Sequence, residues 1–163
     1  MTLQPKRTWP YYENDEISIV KEILESGKVN YWTGKQGKLF EKEFADWSGN
    51  KYAIALANGS LALTAAYTAI GLKDGDEFIT TPRTFIATSL CGVMLGAKPI
   101  FADVDFDSGA ITAETIEPLI TNKTKLISVV HVGGWPADMI SICKLAKRYE
   151  LPVIEDCSQA HGA

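Results

Sequence analysis

Three short clusters hold the residue types that binding and catalysis require, and each follows an apolar run. The first, Asn58-Gly59-Ser60, stands where such a run gives way to an Ala/Leu-rich stretch. Glycine lets a ligand approach the backbone, a helix N-terminus offers unspent N–H groups, and a serine hydroxyl adds a donor, which together suit a phosphate. The same residues also read as a helix start capped by Ser60. The second cluster is Thr81-Pro82-Arg83-Thr84-Phe85. Pro82 fixes a turn there, and Phe85 either lies against a planar ligand or packs in the core. The third is Glu155-Asp156-Cys157-Ser158-Gln159. A carboxylate ending a buried strand is costly unless paired, so Asp156 either holds a cation, such as a metal or a protonated ring nitrogen, or caps a helix. Gln159 is within reach of a neighbouring polar atom.

Other chemistries find less support. No P-loop or G-x-G-x-x-G is present, so a nucleoside triphosphate or dinucleotide is not indicated. Asp103-Val104-Asp105-Phe106-Asp107-Ser108-Gly109, with Glu114 behind it, imitates a calcium loop. Its glycine arrives one place late and a strand precedes it, so a strand end, a turn and a helix start explain it better. His131 and His161 are the only histidines, and no Cys/His set has zinc spacing; no metal is expected. Cys91, Cys143 and Cys157 are too few and scattered for a disulfide framework and read as small core residues of a reduced compartment.

The elements that must position these clusters follow from periodicity. Residues 1–50 read as an extended, aromatic-rich arm (1–13) and two helices. The first helix runs from Asp15 to Ser26, with Ile17, Val20, Ile23 and Leu24 as its stripe and Gly27 as its stop. The second has Leu39, Phe40, Phe44 and Trp47 on one face and ends at Gly49. Both stripes are expected to be core. From residue 51 onward strands and helices alternate. The order is an apolar run Tyr52–Ala57, a helix to Ile70, a strand at Phe78–Thr80, a helix Phe85–Leu95, a strand at Ile100–Ala102 and a short helix Ala113–Ile116. A strand Lys125–Val132, a helix Asp138–Tyr149 and a strand Leu151–Glu155 complete it. Strand–helix repetition with nearly all-apolar strands predicts an α/β, three-layer, mainly parallel sheet covered on both faces. The last strand has no following element to cover it, which suggests a piece of something longer.

Composition limits the partners. The chain has 163 residues, with 16 Lys+Arg against 20 Asp+Glu and a net charge of −4, which gives no electrostatic reason to expect nucleic acid or an anionic membrane. Apolar residues at 46% and charged residues at 22% are ordinary globular values and argue against a disordered binder. The opening ten residues carry positive charge without an apolar segment behind them, so no signal peptide is visible and a cytoplasmic address is expected.

As an ordered set, the segments resemble the DegT/StrS family of nucleotide-sugar aminotransferases. They include Trp32-Thr33-Gly34, Ala57-Asn58-Gly59-Ser60-Leu61, Gly75-Asp76-Glu77-Phe78-Ile79-Thr80 with Pro82-Arg83-Thr84-Phe85, and Gly96-Ala97-Lys98-Pro99. Asp103-Val104-Asp105, Val130-His131-Val132-Gly133-Gly134 and Val153-Ile154-Glu155-Asp156 through Gln159-Ala160-His161-Gly162 complete the set. The resemblance implies the first part of the large domain of the aspartate aminotransferase fold (fold type I), with pyridoxal 5′-phosphate as cofactor. Gly59, Ser60 and Leu61 would hold its phosphate, Phe85 would stack on its ring, Asp156 would keep the ring nitrogen protonated, and Gln159 would sit by the phenolic oxygen. Ser60 stands where many members have threonine, which keeps the hydroxyl.

The implied reaction moves an amino group, commonly from glutamate, to a keto sugar carried on a nucleotide. Intact members are homodimers. The family's cofactor lysine lies beyond Asp156, and none of Lys123, Lys125, Lys144 or Lys147 has its context, so this chain alone is expected to be inactive. Two alternatives remain at this stage: a related sugar dehydratase with histidine in place of that lysine, and a small non-catalytic α/β binding domain of five strands.

Overall fold

The structure is a computed structural model and describes residues 9–163; the first eight residues of the expected arm lie outside the described residues. It divides into two compact units, Met1–Ala55 and Leu56–Ala163.

In the first unit, helix α1 spans Asn14–Ser26 and α2 spans Gln36–Ser48. Glu13 starts α1 through a reciprocal cap in which its own N–H donates to the Glu16 carboxylate at 2.6 Å. Both helices close on left-handed glycines, Gly27 and Gly49. Glu41 ties the irregular segments to α2: one carboxylate oxygen accepts from the Tyr31 hydroxyl, the other from the Ala55 N–H. The helices stand where periodicity put them, but their stripes are not core. Ile17, Val20, Leu24, Leu39, Phe40 and Trp47 are exposed, and Ala45 is the one buried residue of the two helices. Phe40, Phe44 and Trp47 instead pack on one another along the α2 surface, with ring centroids 5.7 and 5.3 Å apart. Tyr52–Ala57 likewise forms no strand. Tyr52 and Ile54 are exposed, and the Ala55 amide is spent on a side chain rather than on a ladder.

The second unit is built on four strands, β1 (Glu77–Thr80), β2 (Lys98–Phe101), β3 (Thr124–Val130) and β4 (Val153–Asp156), all parallel and in the order β2-β1-β3-β4. Helices α3 (Gly59–Ile70) and α4 (Ala87–Met94) cover one face, and α5 (Ala113–Ile116) and α6 (Met139–Arg148) the other. Strand alternation assigns the two cores. Phe78 and Leu126 pack with Leu63, Tyr67, Ala87 and Cys91, while Ile79, Ile127 and Val129 pack with Ile116, Ile142 and Leu145. Gly92 lets α4 approach β1, since a Cβ there would stand 2.4 Å from the Phe78 ring. The expected three-layer architecture is therefore present, with four strands rather than five. β4 is an edge strand whose Val153 and Ile154 are half-buried, one against each core. No helix among the described residues is long and apolar enough to cross a membrane.

The strand order carries a functional consequence. The chain leaves β1 to build β2 on one side and β3 on the other, so a crevice opens at the carboxyl ends between β1 and β3. All three chemical clusters meet that edge.

One buried polar network pins α3 and α4 to the sheet. The Tyr67 hydroxyl donates to the Thr88 carbonyl at 2.8 Å and lies 2.9 Å from Ser128 Oγ. A carbonyl has no proton to give, so Ser128 donates to Tyr67. Burial pushes the phenol up to about 12. We expect Tyr67→Phe, which removes one bond to the Thr88 carbonyl and leaves the buried Ser128 hydroxyl without its acceptor, to lower unfolding free energy by about 1–3 kcal/mol, read as a lower urea midpoint at unchanged slope. In the wild type the unfolded phenol ionises near 10.0 and the folded one near 12. Stability should therefore fall as pH rises through that interval, and the phenylalanine variant should lose this slope.

Candidate active site

A cleft of about 630 Å³ occupies the crevice, and its lining includes Gly59, Ser60, Phe85, Asp156 and Gln159. Three separate connections deliver these residues to one place.

Helix α3 begins at Gly59, two residues before the expected Leu61, because Asn58 rather than Ser60 is its cap: Asn58 Oδ1 accepts the Leu61 N–H at 3.0 Å. Ser60 is thereby excused from capping and lines the cleft. The first-turn amides of Gly59 and Ser60 have no intrahelical acceptor, and the dipole there favours an anion. A Cβ at Gly59 would meet only Ser158 Oγ, at 3.9 Å, so bare backbone faces open space. Leu61 is not brought to the cleft; its amide is spent on Asn58.

Phe85 precedes α4 rather than belonging to it. Ala87 and Thr88 start the buried helix face, the Thr88 hydroxyl meets that of Thr84 at 3.1 Å, and the Phe85 ring between them is 74% exposed on the cleft. Core packing is excluded for it. Arg83, in the same turn, also lines the cleft and donates from Nη1 to the Gly109 carbonyl at 2.7 Å. That bond ties in the calcium-like loop. Within the loop, Asp105 Oδ1 accepts from both the N–H and the hydroxyl of Ser108, and these bonds, the backbone one first, hold its carboxyl below the usual range. The loop is a self-bonded turn.

Asp156 is the last residue of β4, and its Oδ1 accepts the Ser158 N–H at 3.0 Å together with the Ser158 hydroxyl. Residues 157–163 form turns, and the Asp156 carboxylate caps the first of them. Gln159 Oε1 accepts the Gly133 N–H at 2.7 Å, leaving its NH₂ as the outward group. Sequence reasoning missed Ser158, Arg83 and His131 as contributors. Ser158 and Arg83 sat inside the quoted clusters. His131 stood inside the expected strand Lys125–Val132 and in the quoted Val130–Gly134 segment, whereas β3 ends at Val130 and leaves His131 just past it.

His131, Glu155 and Cys157 are the one group among the described residues with the atoms to hold a metal, these lying within 4.8 Å of one another. They are joined as a hydrogen-bonded chain instead: His131 Nε2 stands 2.8 Å from Glu155 Oε1, and burial followed by the Glu155 charge pushes the Cys157 thiol up, keeping it protonated.

Comparison with known proteins decides the family. The DegT/DnrJ/EryC1/StrS aminotransferase family model matches residues 10–163. The chain belongs to that family. An aminotransferase from Psychrobacter cryohalolentis is 51% identical, with a TM-score of 0.94 over 98% of this chain and 40% of that one. 3-Amino-5-hydroxybenzoic acid synthase is 33% identical, with a TM-score of 0.91 over 96% of this chain and 41% of that one. NtdA from Bacillus subtilis, solved with bound cofactor PMP, is 35% identical, with a TM-score of 0.86 over 92% of this chain and 35% of that one. The chain thus spans about two-fifths of the length of these DegT-family structures and has the fold type I architecture of that part.

The Gly133–Gly134 turn gives a direct check on the site's support. Both glycines have positive φ, but a Cβ at Gly134 would lie 2.8 Å from the Gln159 carbonyl oxygen, whereas one at Gly133 meets nothing. We expect Gly133→Ala to cost about 1–2 kcal/mol of backbone strain. Gly134→Ala should cost at least ~1 kcal/mol more and shift the Gln159 signals in an NMR spectrum, because overpacked backbone must move.

Proposed function

We propose that the cleft binds pyridoxal 5′-phosphate and that the protein transfers an amino group, from glutamate, to a keto sugar carried on a nucleotide. The observation that carries this reading is the polarity of one cleft: an anion-seeking helix start, an exposed aromatic ring, a carboxylate and an amide donor. Family membership and the cofactor bound in NtdA support it.

The residues present fit the group. Gly59 and Ser60 would receive the phosphate through unspent amides and a hydroxyl. The Phe85 ring offers a flat apolar surface. Asp156, with Oδ1 fixed by Ser158, presents an acceptor to a ring N–H and so favours the protonated ring. Gln159, with its oxygen spent on Gly133, presents a donor suited to a phenolate oxygen. When bound, the cofactor supplies an electron sink for charge developing on the substrate carbon. The chain's own part is to hold the ring nitrogen protonated and the ring in one plane. The apolar residues exposed on α1 and α2 support the further reading that the intact protein works as a homodimer.

Among the described residues, no lysine lines the cleft. This chain alone is therefore proposed to bind the cofactor without turnover. In a pyridoxal phosphate titration followed by borohydride, we expect saturable binding, no lysine fixed at a defined position, and no amino transfer from glutamate. Asp156→Ala should weaken binding about 10–100-fold, the equivalent of one charged hydrogen bond. A fixed lysine together with transfer would defeat the claim of inactivity, and absence of saturable binding would defeat the cofactor reading.

A further inference from the structure

We propose that His131 is a positioning residue that sets the two polar groups offered to the cofactor ring, Asp156 and Gln159; this rests on the cofactor reading above for its consequence, but not for its geometry. His131 follows β3 and is 3% exposed. Its main-chain N–H donates to the Asp156 carbonyl at 3.2 Å, one step beyond the last register pair, Val130 with Asp156.

The imidazole is fully committed. The Ala137 N–H donates to Nδ1 at 3.1 Å, and an amide can only donate, so Nδ1 carries no proton. The proton is on Nε2, which points at Glu155 Oε1. One ring nitrogen thus grips the residue beside Asp156 in β4. The other closes the turn from His131 to Ala137, and within that turn the Gly133 N–H holds Gln159. Asp156 and Gln159 are three residues apart in sequence but are held from two elements, and His131 is the side chain common to both. An apolar ring in its place would leave the buried Ala137 N–H unpaired and take from Glu155 its imidazole donor. The same geometry argues against a metal at His131, Glu155 and Cys157, since the needed lone pair on Nε2 carries the proton.

The ligand-free chain of 163 residues provides the first test. His131→Phe should raise amide exchange at Ala137 and Gly133 about tenfold or more and change the Gln159 side-chain signals, with distant β1 amides unmoved. With ring-¹⁵N pyridoxal phosphate, the wild type should hold the ring nitrogen protonated above neutral pH. His131→Phe should lose that protonation and about tenfold in affinity, the usual size of an orienting partner's effect, while the bound ³¹P signal stays in place. His131→Gln, which keeps an acceptor and a donor, should recover most of both. Should the phenylalanine variant not fold, Glu155→Ala at the exposed sheet edge should give the same loss of ring protonation. Unchanged exchange and unchanged ring protonation in these variants would overturn the proposal, as would stoichiometric zinc binding by the wild type with loss of the Nε2 proton. If the wild-type chain takes up no cofactor, the functional reading fails, and the exchange data alone decide the role of His131.

Discussion

The pairing of β3 with β4 is the constraint on which the rest depends. Parallel strands end at one edge, so register alone decides which side chain stands at the mouth of the crevice. Here Val130 faces Asp156, and both neighbours of that pair are spoken for: Ile154 packs under α3 and α4, and Glu155 reaches His131 on the opposite face. A slip of one residue would exchange these faces, putting a carboxylate against the apolar core and an isoleucine against an imidazole. Both substitutions cost several kcal/mol by burial of unpaired polar groups (roughly 1–3 kcal/mol each on protein scales). The position of Asp156 is therefore enforced by the strand it terminates.

Much of this was legible in the sequence because strand ends are marked by chemistry. Apolar runs give way to polar residues at Thr80-Thr81, His131 and Glu155-Asp156, and an open parallel sheet gathers such stops at one edge. The identity of the α3 cap was not legible. Asn58 and Ser60 are both good capping residues, and only the backbone path shows that Asn58 reaches the Leu61 amide. Nor was burial. The α1 and α2 stripes are correct in period, yet period describes one surface, while burial is a relation between two. Tyr52–Ala57 failed for the same reason: alternation shows that a segment can pair but supplies no partner. The role of His131 was not legible because it is made by three contacts distributed over Ala137, Glu155 and Asp156.

Within the cleft, hydrogen-bond capacity is divided in a consistent way. Three features of its rim each have one part committed to the protein and another unspent. Asp156 commits Oδ1 to Ser158, Gln159 commits Oε1 to Gly133, and the α3 start commits its Leu61 amide to Asn58. The committed ends remove rotamer freedom during folding, so ordering those side chains is not charged against ligand binding; glutamine alone carries up to ~1.5–2 kcal/mol of such entropy. The unspent ends are of differing polarity in sequence around the cleft: donor amides, an acceptor carboxylate oxygen, a donor amide. On the proposed reading, that pattern suits a ligand with an anionic tail, a cationic ring nitrogen and an anionic ring oxygen better than one of uniform charge.

The supporting shell explains why such a division can persist at the rim of a half-exposed edge strand. An isolated Asx turn at Asp156 would exchange readily with solvent, because a surface hydrogen bond contributes only about 0.5–1.5 kcal/mol. Its neighbours do not exchange so easily. The His131 ring is buried, both its nitrogens are satisfied, and moving it would take the acceptor from the Ala137 amide. The network on the other face, Tyr67 with Thr88 and Ser128, fixes α4 and through Thr88 the turn that carries Phe85. Two buried polar networks, one on each face of the sheet, thus flank a cleft whose own groups are exposed. Rigidity is supplied where water is absent, and ligand-facing capacity is left where a ligand can reach it.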